Sequence, residues 1–354
     1  MVTLTINGRR VTVPKGTTIL KACQQNGIDI PTLCYDPQLR PEGSCRLCIV
    51  EAKGRPLFLA SCVYPCEEGM EVETESPAVR EARKGIIELL LANHDVDCLT
   101  CEKTGSCKLQ DYAYRYGARK ETYADGGRHT YPINDPNPFI QRDYNKCIMC
   151  TRCVRACEEI TAARAIAVSC RAKDAKISTA FDGNLADSPC VFCGQCVMVC
   201  PVGALTSKVS AGLGREFETE KVLTTCSYCG TGCTFELNVK DGKVVGVTSN
   251  REEEWSPVNR GALCVKGRFG WDFINSPDRL TTPLIKENGE FREASWDEAL
   301  DLVAARFGEI KDKSGADSMA VFTSARITNE ENYLAQKFTR VVLGTNNVDH
   351  CARL

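Results

Sequence analysis

The chain has 354 residues, with 44 basic against 46 acidic side chains and 7% aromatic content, so no segment is charged or aromatic enough to grip nucleic acid or an anionic membrane. No apolar run approaches spanning length, and Met1 leads straight into an alternating pattern with no basic leader, apolar core or twin-arginine motif; a soluble, cytoplasmic protein is expected. The conspicuous residue is cysteine, at 23 positions, several in tight Cys-x2-Cys-x2-Cys runs that suit metal ligation and suit a disulfide framework poorly.

Residues 1–78 open on two alternating runs, Leu4 to Ile6 and Arg9 to Val13, around Asn7-Gly8, a pair that favours a type I′ hairpin turn. Thr17 or Thr18 can cap a helix that carries Ile19, Leu20 and Cys23 inward and ends at Gly27 through a left-handed residue, which makes Cys23 a core side chain. Cys34, Cys45, Cys48 and Cys62 follow as Cys-x10-Cys-x2-Cys-x13-Cys, with Gly43 letting backbone amides approach sulfur. Four thiolates suit a [2Fe-2S] cluster; a zinc knuckle would favour two close pairs, and here only Cys45 and Cys48 are close. The combination resembles the plant-type ferredoxin domain of the large iron-sulfur subunit of respiratory complex I and of related hydrogenases and formate dehydrogenases, which implies a β-grasp fold.

A helix is predicted from Ala78 to Asn93, delivering His94 at its end. The string His94-x3-Cys98-x2-Cys101-x5-Cys107, within residues 79–118, matches the histidine-ligated [4Fe-4S] motif of the same subunit family, and His94 supplies the ligand that its cysteine triplet lacks. His129 and His350 are not expected to bind iron. Residues 119–137, rich in Gly and Pro, read as an irregular linker without chemistry.

Between 138 and 210 the chain repeats itself. Cys147, Cys150, Cys153 and Cys157, then Cys190, Cys193, Cys196 and Cys200, both have the x2, x2, x3 spacing of bacterial two-cluster ferredoxins, in which the fourth cysteine of each run serves the other cluster. One cubane is therefore assigned to Cys147, Cys150, Cys153 and Cys200, its neighbour to Cys190, Cys193, Cys196 and Cys157. Glu158 stands where the pattern has the proline seen at Pro201, and Cys170 is expected to be a plain buried thiol.

The fifth group, Cys226, Cys229, Cys233 and Cys264 in residues 219–275, lies within Cys229-Gly230-Thr231-Gly232-Cys233 and Asn259-Arg260-Gly261-Ala262-Leu263-Cys264-Val265-Lys266-Gly267-Arg268. These stretches resemble the N-terminal [4Fe-4S] domain of molybdenum or tungsten bis-pterin enzymes, and the likeness implies that Lys266 lies between cubane and pterin. Gly212-Leu213-Gly214 lacks the rest of a dinucleotide fingerprint. From 276 to 354 an α/β domain begins, with an amphipathic helix from Trp296 and a short buried strand at Ala320-Val321-Phe322. Asn329 to Tyr333 and Thr345 to Leu354 resemble formate dehydrogenase alpha subunits, in which the next residue is the metal-binding selenocysteine or cysteine. A selenocysteine codon read as a stop, a designed end, or a natural relay subunit would each account for an end at Leu354.

Nineteen cysteines and His94 thus make five complete sets of four. The expected fold class is α+β, a multidomain iron-sulfur protein. The resemblance as a whole, to the N-terminal part of an NAD(P)-linked formate dehydrogenase alpha subunit, implies a relay subunit with one [2Fe-2S] and four [4Fe-4S] clusters. It also implies partners: a flavoprotein that binds NAD(P)(H), a small [2Fe-2S] subunit and ferredoxin, with no nucleic acid and no membrane span. The alternatives are the catalytic alpha subunit of a molybdenum or tungsten formate dehydrogenase, with a metal bis-pterin only in a longer chain, and a relay that doubles as a docking platform. No catalytic residue is assigned within the 354 residues, and an iron-only hydrogenase is disfavoured because no further cysteine-rich run follows the fifth group.

Overall fold

The computed structural model of the chain describes residues 1–126, 130–133, 136–249 and 254–351. Two compact units divide it, Met1–Thr219 and Glu220–Leu354.

The first unit starts with β1 (Val2–Ile6) and β2 (Arg9–Val13), antiparallel with Ile6 opposite Arg9, so that Asn7 (φ 50°) and Gly8 (φ 79°) make the two-residue turn. Positive φ at both turn residues is what type I′ demands and what Asn-Gly supplies. Helix α1 (Ile19–Gln25) begins where the Thr18 hydroxyl accepts from the Lys21 amide at 3.3 Å, and it stops before Gly27 at φ 71°. Strands β3 (Ile49–Ala52), β4 (Leu59–Ala60) and β5 (Glu71–Glu73) complete a sheet of order β2-β1-β5-β3-β4, in which β1 and β5 run parallel. Leu4, Ile6, Val11, Val13, Ile19 and Leu20 close its core, each contributing about 1.5–3 kcal/mol by leaving water. Cys23 is fully buried there, and burial first, then the nearby Cys66, pushes its thiol up to about 12.

Helix α2 (Pro77–Ala92) is capped by the Ser76 hydroxyl, which accepts from Val79 N at 3.3 Å, and has Pro77 at its first position, where no amide is needed. Val79, Arg83, Ile87 and Leu91, four apart, form its buried stripe. Arg83 is 0% exposed: Nη1 donates to Glu75 at 2.6 Å and to the Tyr116 hydroxyl at 3.0 Å, and Nη2 to the Ile49 carbonyl at 2.7 Å. Tyr116 ends α3 (Lys108–Tyr116), which Gly117 closes at φ 60°. One guanidinium therefore ties two helices to the residue after Cys48.

In the linker, Lys120–Gly126 forms short 3-10 turns kinked at Tyr123, and His129 lies outside the described residues. Next come β6 (Ile140–Arg142), α4 (Arg152–Arg155), the hairpin β7 (Ala167–Ser169) with β8 (Lys176–Ser178), α5 (Gln195–Val199) and β9 (Leu205–Ser207), the last antiparallel to β6. Cys170 is exposed, at φ 62° just past β7, and is not the buried thiol expected; the hairpin is a surface ribbon with Val168 also in water.

The second unit begins with a meander of β10 (Glu220–Thr225), β11 (Thr234–Lys240) and β12 (Lys243–Thr248), followed by the short helix α6 (Val265–Phe269). A hairpin of β13 (Leu284–Glu287) and β14 (Glu290–Glu293) leads to α7 (Trp296–Ser314), capped by the Ser295 hydroxyl, and then to β15 (Val321–Ser324), α8 (Asn329–Lys337) and β16 (Val348–Cys351), which pairs parallel with β15. The strand expected at Ala320 to Phe322 forms, but it is not buried: Phe322 is 84% exposed, and none of the residues of α7 is buried despite the amphipathic pattern. Period and propensity make a strand or helix, whereas burial needs a second layer, and β15 has only β16 beside it among the described residues.

Replacing Arg83 by Ala leaves the Ile49 carbonyl and the Tyr116 hydroxyl without their buried donor, while Glu75 keeps Arg80 and Arg115, and is expected to cost roughly 1–3 kcal/mol. The measurement is the unfolding midpoint of the whole chain by circular dichroism, and an unchanged midpoint would show that the guanidinium is dispensable.

Candidate metal centres

The first cysteine group is drawn together by loops at one end of the five-stranded sheet. The Cys34 sulfur is hydrogen-bonded to those of Cys45 and Cys62, and Cys62 to Cys48. Four thiols this close cannot all ionise: hydrogen bonds from Cys45 and Cys62 hold Cys34 far below the usual thiol range, and the same contacts push Cys45 and Cys62 far above it. Cys48, aided first by Cys62, is lowered to about 7. A cationic iron core relieves that conflict by facing every thiolate with positive charge, so the donor set fits a cluster. Gly43 (φ 66°) and Arg46 (φ 57°) are left-handed in this loop, and the Cys34 amide donates to Cys45 sulfur at 3.4 Å.

His94 follows the end of α2 and is 7% exposed; burial, then the Lys146 ammonium, depresses its imidazole to about 4, so the ring is neutral, the form that binds metal. Cys98, Cys101 and Cys107 share one another's electrostatic field, and burial raises Cys98 and Cys107. This group lies against the cysteine repeat. Asp95 N donates to Asn145 O at 2.8 Å, Lys108 N to Pro201 O at 3.0 Å, and a Cβ added at Gly203 would stand 2.5 Å from Cys101 sulfur. Only glycine permits that approach.

The repeat itself is symmetric at the backbone. Met149 (φ 52°) and Thr151 (φ 58°) in the first run correspond to Phe192 (φ 50°) and Gly194 (φ 68°) in the second. In each run the left-handed turn aims an amide at the leading sulfur, Met149 N to Cys147 and Phe192 N to Cys190, both at 3.4 Å. Non-glycine residues held at positive φ are costly, and three of these four are not glycine. Cys147, Cys150 and Cys153 take their thiol neighbours as one another and Cys200, and the four line one apolar cavity with Ile148 and Val202. Cys190 and Cys196 face Cys193 and Cys157 first, with a weaker influence between Cys196 and the other group through Cys200 and Cys153. Cys200 is thus a neighbour of the first run's thiols and Cys157 of the second run's. Burial pushes Cys147 up to about 11 and Cys150 to about 12, so these thiols are neutral, and as cluster ligands they would have to give up their protons. Where Pro201 stops the second run, Glu158 lets the first continue as a π turn, Ala156–Ile160, and Ala165 N then donates to Cys157 sulfur at 3.3 Å. Sequence reasoning overlooked that donor and the Thr161 hydroxyl 3.3 Å from Cys193 sulfur.

In the second unit Cys226 follows β10 and Cys233 precedes β11, joined by Cys226 N to Cys233 O at 2.8 Å. Cys226 and Cys233 both feel Cys229 and Cys264, so the four thiols converge, though Cys264 is exposed. Cys229 is lowered, first by the Thr231 hydroxyl 3.2 Å away and, more weakly, by the Lys266 ammonium, which places that charge beside the group. His350, in β16, belongs to none of the five groups. Among the described residues, no three His, Cys, Asp or Glu side chains close on a single metal ion.

Known proteins align with this division. Family models match residues 1–77 (2Fe-2S iron-sulfur cluster binding domain), 83–122 (NADH-ubiquinone oxidoreductase-G iron-sulfur binding region), 137–206 (NADH-quinone oxidoreductase subunit 3, ferredoxin-like domain), 219–276 (Molybdopterin oxidoreductase Fe4S4 domain) and 279–354 (Molybdopterin oxidoreductase). A chain in the crystal structure of an NAD+-reducing [NiFe]-hydrogenase superposes with a TM-score of 0.54 at 32% identity, covering 61% of this chain and 91% of that one. The chain belongs to the family that joins the large iron-sulfur subunit of complex I to formate dehydrogenase alpha-type proteins. Within that family it is 41% identical over 354 residues to the NADPH-Fe(3+) oxidoreductase subunit alpha of Geobacter sulfurreducens, and 40% identical over 355 residues to a G-type subunit of the NADH-quinone oxidoreductase of Rhizobium meliloti. Both alignments take in all of this chain and 40% of the relative, so the chain spans less than half the length of these curated family members. It carries one 2Fe-2S domain and 4Fe-4S binding domains.

Cys157→Ser is expected to perturb the cubane signal associated with Cys190, Cys193 and Cys196 and to leave that of Cys147, Cys150 and Cys153 unchanged. Electron paramagnetic resonance of the reduced variant, set beside Cys200→Ser, checks the crossing; the reverse pattern would refute it.

Proposed function

We propose that the chain is an iron-sulfur electron-transfer subunit of a multisubunit NAD(P)(H)-linked oxidoreductase. On this reading, segments 1–78, 79–118, 138–210 and 219–275 bear one [2Fe-2S] and four [4Fe-4S] clusters, with a flavoprotein, a small [2Fe-2S] subunit and ferredoxin as partners. The observation that carries it is the convergence of the first unit on the group of Cys147, Cys150, Cys153 and Cys200. The [2Fe-2S] loop reaches this group through Arg155, the His94 group through Asn145 and Gly203, and the second cubane through the exchanged cysteines. Clusters when bound supply one-electron storage; the protein's part is to hold their ligands close and tune their potentials through ligand type, amide bonds and burial. A neutral His94 makes its cluster less negative than a fourth thiolate would, which favours the reduced state. No helix among the described residues is long and apolar enough to cross a membrane.

A second reading, part of a molybdenum or tungsten pterin enzyme, is favoured by the family match over 279–354 and by an open cleft lined by Cys229, Thr231, Asn329, Tyr333 and His350. Lys266 would then stand between cubane and pterin.

Anaerobically purified protein is expected to hold about 18 iron atoms with matching acid-labile sulfide, two from one rhomb and four from each cubane. Stoichiometric zinc with little sulfide would remove the relay reading. His94→Ala should alter one [4Fe-4S] resonance and spare the [2Fe-2S] signal. Molybdenum or tungsten in the same sample, with formate-dependent dye reduction, would favour the second reading, and their absence the first.

A further inference from the structure

Two arginines of α4 enter the [2Fe-2S] domain from the cysteine repeat. Arg152 reaches Asp36, which is 0% exposed and two residues past Cys34. Arg155 is 3% exposed. Its Nη2 donates to the carbonyl of Cys34 at 2.6 Å and to that of Cys150 at 3.3 Å, and its Nη1 to the carbonyl of Arg40 at 2.6 Å. Nε stands 3.5 Å from the carboxylate of Glu42, which is 32% exposed. One guanidinium therefore spans a ligand residue of the first group and a ligand residue of the third. Ligation of iron by either group does not itself require an arginine at 155.

We propose that Arg155 is a positioning residue that joins the [2Fe-2S] cluster to the neighbouring cubane and sets the potentials of both with one buried positive charge. This rests on the ligand assignment of the relay reading. A guanidinium keeps its charge at any working pH, and its rigid fork can hold two carbonyls in one plane, which a lysine cannot. Both clusters become more negative on reduction, so a fixed cation between their ligands favours the reduced form of each, and little water is present to screen it. Glu42 offsets part of that charge from the solvent side. The same fork leaves a bridge of two hydrogen bonds between Cys34 and Cys150, so geometry and potential are governed together.

The test is redox titration of the whole chain, loaded with iron and sulfide, with each cluster followed by its own resonance signal. Arg155→Gln is expected to shift the oxidised-to-reduced ratio of the [2Fe-2S] cluster and of the Cys147 to Cys153 cubane at least tenfold toward oxidised, about 59 mV for one electron, with the His94 cluster unmoved. Arg155→Lys keeps the charge and should recover most of the shift, while the dipolar broadening between the two signals weakens because the fork is lost. Should Arg155→Gln fail to retain iron, Glu42→Gln carries the test and is expected to move the same two potentials upward. Unchanged potentials, an equal shift in every cluster, or a shift in only one of the two would overturn the proposal. Iron and sulfide counts on each variant separate that failure from failure of the relay reading, which predicts full loading in the wild-type chain whatever Arg155 does.

Discussion

The first unit depends on one constraint: thiols far apart in the chain must converge in an interior that disfavours their charge. Burial, ahead of every other influence, pushes Cys150 up to about 12 and drives Cys153 well above the ordinary thiol range. An apolar cavity lined by Cys147, Cys150, Cys153 and Cys200 is a poor site for a free anion and a good one for a cationic iron core. Cys200 beside the first run's thiols and Cys157 beside the second run's make that convergence mutual. The two halves of the repeat must therefore fold against each other, with β6 and β9 paired beneath them.

The backbone bears a cost for this geometry. Met149, Thr151 and Phe192 are held in a conformation that L side chains avoid, in register across the repeat, and the gain is an amide aimed at sulfur. Such amide bonds and the neutral imidazole of His94 act in the same direction, favouring the reduced cluster. Burial opposes them. The potential of a cluster bound in such a site would be a balance among these effects, set by residue type at a few positions.

Buried arginines serve as struts at two junctions between segments of the first unit. Arg83 links α2 and α3 to the Ile49 carbonyl, one residue from Cys48, and Arg152 and Arg155 link the repeat to Asp36 and Cys34. Arg83 and Arg155 each satisfy several backbone or side-chain acceptors at once, which is what makes a guanidinium tolerable inside a protein. A hydrophobic contact could join these segments, but it would not fix their register so narrowly.

Local signals in the chain were sufficient for much of this. Asn7-Gly8 specified its turn because the type I′ hairpin needs positive φ at both residues, which this pair adopts readily, and Thr18 and Gly27 bounded α1. The same local rules fail for Cys170, Phe322 and α7, where pattern alone suggests burial. Burial is conferred by a second layer, and nothing within a strand or helix records whether that layer exists. Nor could spacing show that Arg155 would reach Cys34, or that Gly203 would face Cys101, because these contacts join segments about one hundred residues apart. Sequence by itself determined the cysteine spacing and the local turns, through short-range chemistry; only the tertiary structure decided which cysteine groups lie side by side, because that depends on packing among segments whose separation along the chain carries no information about distance in space.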